Sequence, residues 1–223
     1  MTVEASRFTF ENRSADPLVV EHLQPSDIDE TMAREALALR GLAYAAQLEG
    51  RFVPRNTMKP LYEPADALVA TYAASVRAKM ERGTAYWAVT QKMRPEQPCL
   101  SALAGVTPEF NDRGDLFNIT IDQIFTDPFL WRRSLGSRTL FAALSNTLWS
   151  PRIPVHLAAF VGSSVNEWYK KIGLRPTPSY GPIRLPNGAQ VEGQRMATPH
   201  GQGLGTVRER LLRSGRIGRY VIS

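Results

Sequence analysis

The order of hydrophobic patterns along the chain predicts an α/β (α+β) protein, with a central mixed, mostly antiparallel sheet of about seven strands flanked by helices. Three observations carry that expectation. Seven short runs of aliphatic, aromatic and β-branched residues are bounded by Gly, Pro, Asn or Asp. Two helical stretches fall between the first run and the second. Three runs then follow one another with only turns between them, the sequence form of an antiparallel meander.

Residues 17–23 (PLVVEHL) read as the first strand. Ser26 is placed to N-cap a helix, with Asp29 three residues later as a weak capping box. Ile28, Met32, Ala36, Leu39 and Ala43 keep helical spacing to about Leu48, and Gly50 ends the run. Residues 51–64 contain three prolines and read as a loop. A second helix covers about 65–82, with Leu68, Tyr72, Val76 and Met80 at four-residue steps and Gly83 as its stop. Strands follow at 85–90, 100–106 and 116–126, the last entered through an Asn-Asp-Arg-Gly-Asp turn at 111–115. Then come a helix at 134–149, a near-continuous apolar strand at 154–161 and a short helix at 163–172 closed by Gly173. Strands at 179–185 and 190–198 join through Pro186-Asn187-Gly188, and 204–213 reads as a last helix.

The 223 residues, 43% hydrophobic and 22% charged, suit a single domain over 1–223. Its core is about 84–198 and its C-terminal extension 204–223. The net charge is +6, but five arginines (208, 210, 213, 216 and 219) against Glu209 concentrate it in the tail. The rest of the chain is too near neutral for a nucleic-acid-binding body. The preferred reading of the tail is a helix and strand completing the fold, or a homodimer contact. A single cysteine, Cys99, excludes an intramolecular disulfide. No N-terminal signal pattern and no run of about 18 apolar residues is present, so a soluble cytoplasmic protein without a membrane partner is expected. No metal-ligand constellation is visible.

The informative stretch is 116–175. Residues 116–126 (LFNITIDQIFT) run through a tight turn into a helix beginning near Ser134. The first amides of a helix lack intrahelical acceptors, and the dipole makes that end positive, so such a turn suits a phosphate or pyrophosphate. Arg132, Arg133 and Arg138 add charge around it. By itself the turn is also compatible with an ordinary connection.

This segment resembles the GCN5-related N-acetyltransferase (GNAT) superfamily, whose fourth strand is followed by V-x-P-x-x-[RQ]-G-x-G-I-G-x-x-L. Thr126 stands at the valine, Pro128 at the proline, Trp131 at the Arg/Gln, and Ser134, Leu135 and Gly136 at G-I-G, with Leu140 and Leu144 continuing the helix. Residues 154–176 (PVHLAAFVGSSVNEWYKKIGLRP) resemble the next strand and helix, with Tyr169, Lys171, Gly173 and Leu174 at the Tyr, Lys, Gly and Phe positions. Trp131, Ser134, Trp168 and Gly162 depart from the pattern; Gly162 stands where an asparagine often contacts the pantetheine, and Ser163 or Ser164 could substitute.

The resemblance implies a GNAT fold and an N-acyltransferase using acetyl-CoA or another acyl-coenzyme A. It implies that amides from about Arg132 through Ser134, Leu135 and Gly136 to Ser137 hold the pyrophosphate, with Arg138 beside them. The edge of Ile124, Phe125 and Thr126 would pair with the pantetheine arm, and Ser164 and Lys171 join the cofactor-binding set. Acyl transfer needs an acid for the leaving thiolate and a base for the amine. Tyr169 is the candidate acid by position, or else a packing aromatic. Asp122, inside an apolar strand, is the candidate base through water, or else an acid paired with a nearby arginine. Alternation places Thr120, Asp122 and Ile124 on one face. Glu109 is a weaker candidate base, and His156 reads as a core histidine. Trp168 reads as core. The loop at 51–64 and the segment 180–190 are expected to wall the acceptor cleft. The acceptor amine is not readable. Two other readings stay open: an acyl-CoA-binding module without catalysis, and an RNA-directed enzyme acting on aminoacyl-tRNA through the arginine tail.

Overall fold

The computed structural model describes residues 6–11, 17–48, 64–94, 97–128, 130, 134–145, 149–163, 165–184, 190–214 and 217–223, with backbone only at 48, 91–94, 97, 98 and 184. One nine-stranded sheet forms the centre: β1 (Arg7–Phe10), β2 (Leu18–His22), β3 (Ala85–Arg94), β4 (Gln97–Phe110), β5 (Leu116–Thr126), β6 (Val155–Phe160), β7 (Arg175–Arg184), β8 (Gln190–Ala197) and β9 (Tyr220–Ile222). The spatial order is β7-β8-β6-β5-β4-β3-β2-β1-β9. Every neighbouring pair is antiparallel except β5 and β6.

The described helices are α1 (Glu30–Leu48), α2 (Asp66–Glu81), α3 (Leu135–Ser145), α4 (Val165–Lys171) and α5 (Leu204–Ser214). Helices α1 and α2 cover one face of the sheet, where Leu37, Val69, Tyr86, Leu103 and Phe125 form one core cluster. Helices α3, α4 and α5 cover the other, around Trp87, Ile119, Ile121, Leu140, Leu144 and Leu211.

The sheet exceeds the expected seven strands by two. Arg-Phe-Thr-Phe in β1 alternates for only four residues, burying Phe8 and Phe10, and is too short to stand out in sequence. β9 is exposed along its length and exists because β1 offers it a backbone edge. The C-terminal segment is integral to the fold. Leu204, Val207 and Leu211 are fully buried, and Arg208 Nε donates to the Leu144 carbonyl at 2.7 Å, closing the end of α3.

The start of α1 also differs. Pro25–Asp27 is a 3-10 turn, and the helical cap is Asp29, whose carboxylate accepts the Met32 amide at 2.7 Å, instead of Ser26. Gly50 and residues 51–63 lie outside the described residues. Arg34 ties α1 to α2 through Asp66 at 2.8 Å and the Pro64 carbonyl at 2.9 Å, and Glu35 ties α1 to the sheet through the Leu100 amide at 2.9 Å. No helix among the described residues is long and apolar enough to cross a membrane.

Candidate active site

Strands β5 and β6 pair only at Ile119–Val155 and Thr120–His156, yet β5 continues to Thr126 and β6 to Phe160. Strands that stop pairing while both continue leave a gap with backbone groups facing it. On its other side β5 carries a bulge: Val106 pairs with Ile121 and Gly105 with Gln123, leaving Asp122 as the extra residue. The bulge resets alternation. Ile119 and Ile121 belong to the cluster under α3, and so does Ile124, whereas Phe125 belongs to the cluster under α1. The expected common face for Thr120, Asp122 and Ile124 is therefore corrected, because an inserted residue reverses the sides of everything after it.

Two clefts open at this gap. The first, about 350 Å³, is lined by Ala43, Gln47, Ile124, Thr126, Ser134, Gly136, Ser137, Val165, Trp168 and Tyr169. The second, about 340 Å³, lies toward α1 and α2 and includes Arg40, Tyr44, Gln47, Lys79, Thr120, Asp122, Gln123, Ile124, Phe125, Phe160 and Tyr169 in its wall. Gln47, Ile124 and Tyr169 belong to both.

Helix α3 begins at the bottom of the first cleft. Ser134 has φ = +60°, a left-handed backbone that a side chain makes costly. The Arg138 amide bonds back to the Ser134 carbonyl at 3.0 Å, so Leu135, Gly136 and Ser137 hold the positions whose amides have no acceptor within a helix. A Cβ on Gly136 would stand 2.8 Å from Thr126 Oγ1, so the absence of a side chain sets how closely the helix meets β5. Trp168 Nε1 donates to Ser137 Oγ at 3.3 Å, linking α4 to this turn.

Tyr169 is 6% exposed, its ring 5.2 Å from Trp168. Burial pushes its hydroxyl upward, so it keeps its proton across the neutral range. In the second cleft Lys79 Nζ donates to both oxygens of Asp122 at 2.8 Å, and the Tyr86 hydroxyl donates to Asp122 at 3.0 Å. Burial first, then the Asp122 charge, pushes the Tyr86 hydroxyl upward. Tyr72 donates to Gln123 at 2.9 Å, and burial is the main cause of its own upward shift.

Of the sequence candidates, Ile124, Thr126, Ser134, Gly136, Ser137 and Tyr169 line the first cleft, and Asp122, Ile124, Phe125 and Tyr169 the second. Leu135 is a core residue at 2% exposure. Arg138 turns away from the cleft: its guanidinium lies buried, 5.8 Å from the centre of the Phe10 ring, and that burial lowers its pKa. Lys171 is exposed and lines neither cleft. Glu109 lines neither as well; it accepts hydrogen bonds from Asn118 at 2.8 Å and from Thr120, 3.7 Å from His156 Nε2. Burial pushes the Glu109 carboxyl upward, but these bonds together with the charges of His156 and Arg195 bring it below the usual carboxylate range. His156 also meets Thr120 at 2.7 Å and Arg195 at 3.0 Å. Trp131, Arg132, Arg133 and Ser164, and the loop at 51–63, lie outside the described residues.

Sequence reasoning missed Arg40, Gln47 and Lys79 on the cleft walls and Tyr72 and Tyr86 behind them; Trp168, read as core, packs against the core cluster and also walls the first cleft. Asp122 does pair with a cation, but the partner is Lys79 instead of an arginine. Among the described residues no group of three or more His, Cys, Asp or Glu side chains is arranged around a metal site.

Neither a family model nor a curated protein matches the chain. Solved structures do. A GCN5-related N-acetyltransferase from Rhodopseudomonas palustris superposes with TM-score 0.52 over 84% of this chain and 99% of its own, at 14% identity. An N-acetyltransferase from Thermoplasma acidophilum, solved in complex with coenzyme A, superposes with TM-score 0.53 over 81% and 99% respectively, at 12% identity. The chain therefore has the α/β fold of the GCN5-related N-acetyltransferases, with a nine-stranded, mostly antiparallel mixed sheet.

Proposed function

We propose that the protein is an acyl-CoA-dependent N-acyltransferase, the first cleft taking the acyl donor and the second the amine. The observation that carries this reading is the junction of the two clefts at a buried, protonated tyrosine, Tyr169, beside the open edge of β5. The residues of the first cleft fit coenzyme A in kind. A left-handed turn at Ser134, helix amides at 135–137 and a Cβ-free approach at Gly136 suit a pyrophosphate. Ile124, Val165 and Trp168 give the cleft an apolar wall of the kind a pantetheine arm would pack against.

When bound, acyl-coenzyme A supplies a thioester already activated toward amines. The chain's residues then have three tasks. The Tyr169 hydroxyl holds a proton for the departing sulfur, and its raised pKa keeps that proton in place until negative charge develops beside it. Asp122 is the one carboxylate among the described residues on the walls of the two clefts; Lys79 and Tyr86 hold it in place, where it can take the amine's proton through water. The exposed edge of β5 offers backbone amides for the oxygen of the tetrahedral intermediate.

The arginine tail lends little support to the RNA-directed reading. Arg208 is engaged by the Leu144 carbonyl and Arg213 by Glu209.

Free-thiol release from acetyl-CoA across a panel of amines tests the activity. Tyr169→Phe should lower kcat about 10²- to 10⁴-fold with CoA affinity little changed. CoA binding without turnover of any amine would leave the non-catalytic module as the better account.

A further inference from the structure

We propose that Arg40 clamps an anionic group on the acceptor, so that the amine taken by the second cleft carries a carboxylate or a phosphate; this deepens, and rests on, the acyl-transfer reading. Arg40 lies on α1 and lines the second cleft. Its guanidinium carbon sits 5.1 Å from the centre of the Tyr44 ring and 5.8 Å from that of Phe125. Its Nε is buried without a hydrogen-bond partner.

Other arginines near the core behave differently. Arg34, on the same helix, has Glu30, Asp66 and the Pro64 carbonyl. Arg77 donates to the Ile28 carbonyl at 2.6 Å, and Arg208 to that of Leu144. Arg138 also has a buried, unpartnered Nε, but it packs against Phe10 and lines neither cleft. Among the described arginines, Arg40 alone combines an unmet donor with a place on a cleft wall.

Charge points the same way. Among the described residues the charged side chains lining the second cleft are Arg40, Lys79 and Asp122, and Lys79 engages both Asp122 oxygens. One positive charge is left unmatched. An arginine cannot shed its proton to relieve this, so the complement must be an anion supplied from outside. Two rings set at 82° to each other, Tyr44 and Phe125, confine the guanidinium, and its planar fork suits two parallel hydrogen bonds. A carboxylate and a phosphate both satisfy that fork. Tyr169 and Asp122 line the same cleft, so an amine a few bonds from its own anion can reach both the clamp and the transfer point.

The test is calorimetric titration of the CoA-saturated protein with matched amines. One arm sets α-amino acids against their decarboxylated counterparts; the other sets phosphoethanolamine against ethanolamine. The anionic member of at least one arm should bind about tenfold or more tighter, and the arm with the gap identifies the anion. Arg40→Gln should abolish the gap with CoA affinity retained, and Arg40→Lys should restore part of it, since charge without the fork is a weaker clamp. CoA titration and thermal unfolding of both variants establish that they fold. Equal affinities in both arms, or a gap that survives Arg40→Gln, overturn the clamp alone. Failure of the native protein to bind CoA overturns the acyl-transfer reading instead.

Discussion

The two clefts that meet at Tyr169 are made of different materials. The first is built from backbone and small residues: a left-handed serine, a glycine against a threonine, the opening turn of a helix. The second is built from long side chains converging from separate elements: Arg40 from α1, Lys79 from α2, Tyr86 from β3 and Asp122 from the β5 bulge. A backbone site has its residues adjacent in sequence and tolerates little variation in their size. A side-chain site is scattered along the chain, and its energetics lie in pairing.

Substitutions in the two clefts should therefore fail in different ways. Among changes that act through packing and pairing, the largest effect is expected at Gly136→Ala. The added Cβ falls 2.8 Å from Thr126 Oγ1 and must push α3 off β5, at about 1–3 kcal/mol for such overpacking. CoA affinity should drop roughly tenfold or more on that account. Adding Thr126→Ala removes the obstructing hydroxyl and should recover much of the loss. No recovery in the double variant would mean that the cleft does not depend on this contact.

Lys79→Met should act through stability. It leaves the Asp122 carboxylate, 21% exposed, with Tyr86 and Gln123 as its remaining described partners. The loss should be about 1–2 kcal/mol, moderated by solvent around a partly exposed pair. Thermal unfolding should come about 2–8 °C earlier, with CoA affinity unchanged. A fall in CoA affinity of the size seen for Gly136→Ala would erase the distinction between the clefts.

Acid should act below both clefts, at His156 and Glu109. Burial, with help from Arg195, lowers the pKa of His156, so the unfolded chain takes up a proton there before the folded one does. Stability is then full above the unfolded value of 6.5 and declines as pH falls through it toward the lower folded value. Glu109, also lowered, adds a second decline as pH falls below 4.5. Denaturant midpoints measured from pH 8 to pH 4 should show the first step, and His156→Gln should remove it.

The smallest effect is a gain. Ser134→Gly relieves the left-handed φ of +60° and should raise stability by up to about 1 kcal/mol, with the first cleft intact. Unchanged or lowered stability would mean that the serine side chain compensates its own strain.

What the sequence disclosed follows the same division. The strand–turn–helix at Ile124 to Ser137 could be read because its parts are consecutive and its chemistry is that of the backbone. Tyr169 could be placed because α4 follows β6 directly. Asp122 was visible as a carboxylate among apolar residues, but its partner was not, since Lys79 lies 43 residues away on an amphipathic helix where lysines are ordinary. The bulge was also hidden. Nothing in LFNITIDQIFT marks Asp122 as an extra residue until Gly105 and Gln123 are paired across the sheet. β1 and β9 are too short to announce themselves, and β9 pairs only with β1.

Gly105 has a consequence for remodelling the protein. It lies mid-strand in β4, and a Cβ there would stand 2.6 Å from the Tyr86 ring. Its bare backbone lets that ring lie flat across the sheet with its hydroxyl aimed at Asp122. Gly105, Tyr86 and Asp122 thus form a fixed platform, and a library that varies any of them will mostly return broken sheets. Arg40, Tyr44 and Gln47 stand on a helix face above it, at positions that can be exchanged while the platform stays put. A change of amine preference should be sought there.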